Sequence, residues 1–231
     1  MSTITGFLPS TSAFKFGNSF PQVPLWKMDV LGLRIPIGNA SYGLCGGMIY
    51  AVKDYFEAKM PIPSNPTAPP SGPLFKYIVN RQMESFHLPF GLIKYMVLMN
   101  PVLPDHETTA SKLGAAPHGR TWRMINEEWP RIKNDLDNGK LSPLGLVRVK
   151  SLNPFQIRQN HQVLAYGYDF NENNLSIHIY DPNLPNDDHV TISLSIDNPE
   201  SPTTVVHSKS SEPIYCFFRT NNNFTRPIDL N

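Results

Sequence analysis

The chain has 231 residues, of which 40% are hydrophobic, and this size and composition suffice for one domain with a buried core. The formal net charge is +1 and the basic residues are scattered, which argues against a nucleic-acid-binding protein. The only two cysteines, Cys45 and Cys216, do not make a disulfide framework, so we interpret both as reduced thiols of an intracellular protein.

Residues 1–38 are expected to be irregular, with one short strand around Val30 to Ile35. This segment is rich in aromatic side chains, which predicts that it wraps over the domain, since a disordered tail would hold fewer of them. The aromatic residues are Phe7, Phe14, Phe16, Phe20 and Trp26.

Hydrophobic spacing of three and four residues predicts helices over 45–60, 74–86, 90–99 and 121–138. Proline at position 61 should end the first of these helices, and Pro130 should kink or divide the last. The helices at 74–86 and 90–99 lie in the segment 61–120, which we interpret as a helical and loop insertion within a single domain spanning 1–231. Loops are expected at 61–73 and 100–120.

After residue 140 the pattern changes to the alternation typical of strands. The predicted strands are 144–149, 161–168, 175–180, 190–195, 203–207 and 214–219. A hairpin turn is expected at 171–174, because asparagine tolerates the left-handed backbone that such turns require. Helices followed by an antiparallel sheet predict an α+β fold.

The segment 42–48 reads YGLCGGM and places Cys45 where a glycine-rich loop turns into the first helix. Backbone N–H groups and the helix dipole at such an N-terminus favour a thiolate over a thiol. Cys45 is therefore a candidate nucleophile, and the alternative is a buried structural thiol. Cys216 lies in a pattern typical of a sheet core and is expected to be structural.

Two later segments add a histidine and an acid in the same chain order. Residues 161–169 read HQVLAYGYD, and residues 180–183 read YDPN. Together with the cysteine loop, these segments resemble the papain-like cysteine peptidase superfamily, and within it the bacterial branch of double-glycine, or bacteriocin-processing, peptidases. The resemblance covers roughly residues 36–60 and 121–185.

The resemblance implies a papain-like fold, in which N-terminal helices pack on a mostly antiparallel, barrel-like sheet. It also implies that Cys45 is the nucleophile, His161 the general base and Asp181 the residue that orients the imidazole. Asn39, six residues before the cysteine, occupies the position of the oxyanion-hole amide, where the family usually has glutamine. From the residues alone, His161 could be a core histidine, Asp181 could be a turn acid before proline, and Asn183 is its rival for orienting the imidazole.

No metal or organic cofactor is expected. Four residues, His178, Asp187, Asp188 and His189, form a loose cluster, but no metal-binding or phosphate-binding motif is present. The N-terminus lacks the features of a signal peptide, and the most apolar run, 90–103, is too short to span a bilayer. We therefore expect a soluble cytoplasmic protein without a membrane partner, with export by a route lacking a cleaved signal as the alternative.

The sequence thus predicts a thiol hydrolase that cleaves a peptide or amide bond through a thioester on Cys45. An acyl- or amidotransferase would use the same three residues but resolve the thioester with an amine. A catalytically inactive papain-like binding module is the third hypothesis. The substrate and the oligomeric state are not determined by the sequence.

Overall fold

The computed structural model describes residues 2–21, 27–30, 33–36, 43–86, 90–221 and 223–229. The fold combines helices in the first part of the chain with an antiparallel sheet in the second. Within the described ranges, no helix combines the length and apolar character needed to cross a membrane.

The N-terminal segment is part of the domain core. It contains a short strand, β1 (Ser2–Thr3), and one helical turn, α1 (Pro9–Ser12). Its four described phenylalanines are at most 4% exposed: Phe7, Phe14, Phe16 and Phe20. Two further strands, β2 (Lys27–Val30) and β3 (Leu33–Pro36), pair with each other in antiparallel orientation, where the sequence predicted a single strand. Trp26 lies outside the described residues.

The predicted helices are confirmed, with small shifts of their ends. The first three are α2 (Cys45–Glu57), α3 (Gly72–Ser85) and α4 (Phe90–Met99). The loop expected after α4 contains one additional turn, α5 (Thr109–Lys112). The helix α2 packs against α3 and against the sheet, so the segment 61–120 supplies part of the support for α2.

The last helical segment is continuous from residue 120 to 137, as its amphipathic pattern predicts. It consists of α6 (Arg120–Arg123), a π-helical turn (Met124–Glu128) and α7 (Trp129–Asp137). Pro130 lies in the first turn of α7, and the π-helical turn directly before it accommodates the missing backbone donor. At Pro130, where a kink or division was expected, the helical segment is unbroken and is locally widened by the preceding π-helical turn. Gly139, with φ of 69°, ends the segment.

Among the described residues, the main sheet contains eight strands: seven in the order β10-β4-β5-β6-β7-β8-β9, and β1, which pairs with β5 beside β4. The seven strands are β4 (Ser142–Val147), β5 (His161–Asn171), β6 (Asn174–Tyr180), β7 (Thr191–Ser195), β8 (Val205–His207), β9 (Ser210–Ile214) and β10 (Cys216–Arg219). A 3₁₀-helix (Pro154–Gln159) connects β4 to β5.

The sheet is curled, because the two strands at its opposite edges, β9 and β10, follow each other directly in the chain. Only Tyr215 separates β9, at one end of the strand order, from β10 at the other end. The two edges of the sheet therefore approach each other at this residue. The strand predicted over 214–219 is confirmed for 216–219, which pair with β4, but Ile214 belongs to a separate strand, 210–214, which pairs with β8.

The turn between β5 and β6 is confirmed, but its left-handed residue is Glu172, with φ of 55°, where asparagine was expected. The register of this hairpin then shifts between Ala165 and Gly167, so Tyr166 is an extra residue on β5. Such a bulge leaves one residue unpaired and changes which side chains share a face of the sheet.

Candidate active site

Cys45 is the first residue of α2 and is partly exposed, as expected for a thiol at the start of a helix. The glycines beside it have a packing role that the sequence did not reveal. A Cβ at Gly47 would lie 2.1 Å from the carbonyl oxygen of Ile78 in α3. A Cβ at Gly46 would lie 2.3 Å from Ser85 Oγ. The glycine pair therefore allows the start of α2 to approach α3 closely.

The backbone donors at the start of α2 are directed to specific partners. The N–H of Leu44 donates to Asn18 Oδ1 (2.6 Å), and that of Gly47 donates to Gln82 Oε1 (2.8 Å). The Gly46 N–H points to the sulfur of Cys45. These bonds hold the first turn of the helix in place around the thiol.

His161 and Asp181 are adjacent because of the register of β5 and β6. His161 begins β5, and Asp181 directly follows β6. The register pairs Leu164 with Tyr180, so Asp181 continues opposite Val163, on the same face as His161. His161 Nε2 lies 2.7 Å from Asp181 Oδ1, and both side chains are at most 5% exposed.

The other ring nitrogen of His161 is left for Cys45, with which the imidazole makes a hydrogen bond. Burial disfavours the thiolate, but this hydrogen bond, the charge of His161 and the N–H groups of Gln162 and Gly46 outweigh it. The pKa of Cys45 is consequently lowered from its ordinary value of 9.0. A lowered pKa is what distinguishes a reactive cysteine from a structural one.

The pKa of His161 is shifted in the opposite direction, upward. Burial disfavours the imidazolium, but the charge and hydrogen bond of Asp181, together with Cys45, raise the pKa of His161 to about 9. Burial also disfavours ionised Asp181, yet His161, His207 and the N–H of Asn183 hold the pKa of Asp181 well below its ordinary value. Compared with the same groups in water, the surroundings of all three therefore favour the ionised form: thiolate, imidazolium and carboxylate.

Asp181, and not Asn183, contacts the imidazole. The Asn183 side chain accepts a hydrogen bond from Asn18 Nδ2 (3.1 Å), and only its backbone N–H donates to Asp181 Oδ1 (2.8 Å). Asn39, the expected oxyanion-hole amide, lies outside the described residues.

Sequence reasoning missed two residues beside this cluster. Asn18 connects the cysteine loop to the acid loop: besides its bonds to Leu44 and Asn183, its N–H donates to the Pro182 carbonyl (2.9 Å). His207 donates to Asp181 Oδ2 at 3.1 Å. Neither residue lies in a recognisable motif, because each reaches the site from a distant part of the chain.

The surroundings of Cys216 favour the protonated thiol, in contrast to those of Cys45. It is 1% exposed within the core, and burial raises its pKa to about 12. Neither cysteine is in a disulfide.

The residues of the loose acidic and histidine cluster are used separately. His178 Nε2 bonds to Asp169 Oδ2 (2.7 Å), Asp188 accepts from Ser10, and Asp187 accepts from the His189 N–H. Among the residues described, no three histidine, cysteine or acidic side chains are grouped closely enough to hold a metal ion.

Comparisons of the chain with profiles of protein families, with curated protein sequences and with solved structures return no match. The class of site is therefore defined by its own geometry: a partly exposed thiol at a helix N-terminus, hydrogen-bonded to a buried histidine that is paired with a buried aspartate.

Proposed function

We propose that this protein is a papain-like thiol hydrolase that cleaves a peptide or amide bond through a thioester on Cys45. The observation that carries the proposal is the hydrogen-bonded series of Cys45, His161 and Asp181. In this series the pKa of the thiol is lowered and that of the imidazole is raised to about 9. A purely structural cysteine and histidine are not expected to shift each other's pKa in this way.

In the first half-reaction, the Cys45 thiolate attacks the carbonyl carbon of the substrate and forms a tetrahedral intermediate. We assign stabilisation of the developing oxyanion to the backbone N–H of Cys45, because Cys45 is the first residue of α2. The His161 imidazolium then gives its proton to the leaving amine. The C–N bond breaks, and the acyl group remains on sulfur as a thioester.

In the second half-reaction, neutral His161 takes a proton from water as the water oxygen attacks the thioester carbonyl. Collapse of this intermediate breaks the C–S bond, releases the carboxylic acid and restores the thiolate and imidazolium. Asp181 stays ionised throughout and holds the imidazole in one orientation, since His161 Nε2 donates to its Oδ1. In a transferase, an amine would replace water in this step.

The test is the pH dependence of Cys45 alkylation by iodoacetamide, with the modified residue identified by peptide mass spectrometry. We expect fast alkylation at about pH 6, where an ordinary thiol is almost fully protonated. His161→Ala should slow this reaction at least about tenfold, because it removes the group that stabilises the thiolate. Cys216→Ser should leave the rate at Cys45 unchanged.

If alkylation of Cys45 follows an ordinary thiol, the hydrolase proposal is wrong, and a papain-like scaffold used for binding becomes the better hypothesis. If the thiol is activated, peptide and amide substrates are screened against the wild type and Cys45→Ala. Adding amines during turnover then distinguishes a hydrolase, which forms the free acid, from a transferase, which forms a new amide.

A further inference from the structure

His207 is the third hydrogen-bond donor to Asp181 and lies completely inside the protein. It is the last residue of β8, next to the two-residue turn 208–209, and its side chain has no exposed surface. Its Nε2 is 3.1 Å from Asp181 Oδ2, and its Nδ1 is 3.1 Å from the backbone N of Lys209.

These two contacts fix the protonation of the His207 ring. The backbone N–H of Lys209 can only donate, so Nδ1 of His207 is the acceptor and carries no proton. The ring proton is therefore on Nε2, where it points to Asp181 Oδ2. His207 is thus a neutral hydrogen-bond donor to Asp181, and its bond to the Lys209 N–H in the turn fixes the orientation of its ring.

The two oxygens of Asp181 consequently have different partners. Oδ1 accepts from His161 Nε2 and from the Asn183 N–H, whereas Oδ2 accepts from His207. A carboxylate that is 2% exposed needs donors on both oxygens, because water cannot supply them. Without the bond to Oδ2, the carboxylate could rotate away from His161 or take up a proton.

We propose that His207 is a positioning residue of the Cys45 site, which holds the Asp181 carboxylate ionised and directed at His161. This inference rests on the proposed function. His207 touches neither Cys45 nor the reacting atoms of a substrate, so its effect is transmitted through Asp181 to His161 and from there to the thiol. The site is thus a series of four side chains drawn from α2, β5, the end of β6 and β8.

The titratable neighbours of this series include two buried tyrosines. Tyr95 faces Cys45 and Tyr180 faces Asp181; burial raises the pKa of each above its ordinary value, so both stay neutral through the useful pH range. The Lys209 ammonium group lies 3.5 Å from Asp187, a carboxylate outside this series. A change in the pH profile of Cys45 therefore reports on the thiol, His161 and Asp181.

The experiment compares two substitutions, one that removes the contact of His207 with Asp181 and one that keeps a donor there. His207→Asn keeps an acceptor near Nδ1 for the Lys209 N–H but is too short to reach Asp181. His207→Gln places an amide donor near the position of Nε2. The rate of Cys45 alkylation by iodoacetamide is measured from about pH 5 to about pH 10, with circular dichroism as the check on folding.

We expect His207→Asn to slow alkylation at about pH 6 roughly tenfold, which corresponds to about one pKa unit, and to match the wild type near pH 10. His207→Gln should retain most of the wild-type rate at the lower pH. Equal alkylation rates of the variant and the wild type at high pH would indicate a loss of positioning. A damaged site would instead be alkylated slowly at every pH. In Asp181→Asn protein, the His207 substitutions should have no further effect.

If the wild-type thiol is activated but His207→Asn has the same profile, the role of His207 is wrong and the proposed function stands. If the wild-type thiol is ordinary, both are wrong. Where His207→Asn does not fold, His207→Leu replaces it, because leucine fills the space but cannot donate to Asp181 Oδ2. Slow alkylation at about pH 6 that reaches the wild-type rate near pH 10 supports the inference, and a wild-type profile overturns it.

Discussion

His161 Nε2 lies 2.7 Å from Asp181 Oδ1 because Tyr166 is an extra residue in β5. In an unbulged hairpin closed at 171–174, Asp181 would lie opposite Leu164, and its side chain would face away from that of His161. The bulge moves it opposite Val163 and onto the face of His161. The N–H of Ile4 donates to the Tyr166 carbonyl (2.9 Å), so the N-terminal segment supports the bulge.

The first prediction concerns the pH range in which His161 is charged. The pKa of His161 in the folded protein is about 9, above its ordinary value of 6.5. Protonated His161 therefore stabilises the fold fully below pH 6.5, and this contribution is lost as the pH rises through about 9. We expect the His161 ring to titrate near pH 9 by NMR. In Asp181→Asn protein the titration should move to lower pH, because the partner charge is gone. A ring that titrates near its ordinary value in the wild type would contradict the ion pair.

The second prediction separates Asp181 from Asn183. Asp181→Asn should slow Cys45 alkylation at about pH 6 at least about tenfold, since it removes the charge that stabilises the His161 imidazolium. Asn183→Ala keeps the backbone N–H that donates to Asp181 and should change this rate less than about twofold. The reverse order of effects would assign the orienting role to Asn183.

The third prediction concerns Asn18, whose side chain caps the start of α2. Asn18→Ala removes the acceptor of the Leu44 N–H and should lower the free energy of unfolding by about 1 kcal/mol, measured by urea titration. Asn18→Asp keeps this acceptor but loses the donor to Asn183, so it should be more stable than Asn18→Ala. Equal stabilities of the two variants would mean that the cap contributes nothing measurable.

The fourth prediction concerns the close approach of α2 to α3. Gly47→Ala should destabilise the protein by roughly 3 kcal/mol, because its Cβ would collide with the backbone carbonyl of Ile78 at 2.1 Å, and backbone cannot rotate aside. Gly114→Ala is the matched control: its Cβ meets no atom within 4 Å, and only its φ of 74° costs about 1 kcal/mol. Thermal unfolding of the two variants gives the comparison, and a smaller effect at Gly47 would argue against the tight contact.

The fifth prediction tests whether the N-terminal segment is an integral part of the core. Phe14 is fully buried and lies 4.9 Å, between ring centroids, from Phe16. Phe14→Ala should cost about 3–5 kcal/mol, whereas Leu8→Ala, at a side chain 46% exposed, should cost well under 1 kcal/mol. Were Phe14→Ala nearly neutral in urea unfolding, the segment would be a dispensable cover.

Local patterns in the sequence predicted most of the elements. The helix starting at Cys45 was readable from the glycine turn and the spacing of the apolar residues that follow it. The strand at His161 and the hairpin to Asp181 were readable from alternation and turn residues. Errors arose where pairing between strands determines the secondary structure. Residues 210–214 are mostly polar, yet they form a separate strand that pairs with β8.

The sequence by itself therefore determined which side chains lie on which elements: a thiol at a helix start, a histidine on a strand and an acid at a strand end. Only the tertiary structure decided which of these groups meet. The bulge at Tyr166 selects the face on which Asp181 lies, and the strand order brings His207 to it from 26 residues away. The physical reason is that helix and strand periodicity are local, whereas register and strand order depend on the packing of the whole chain.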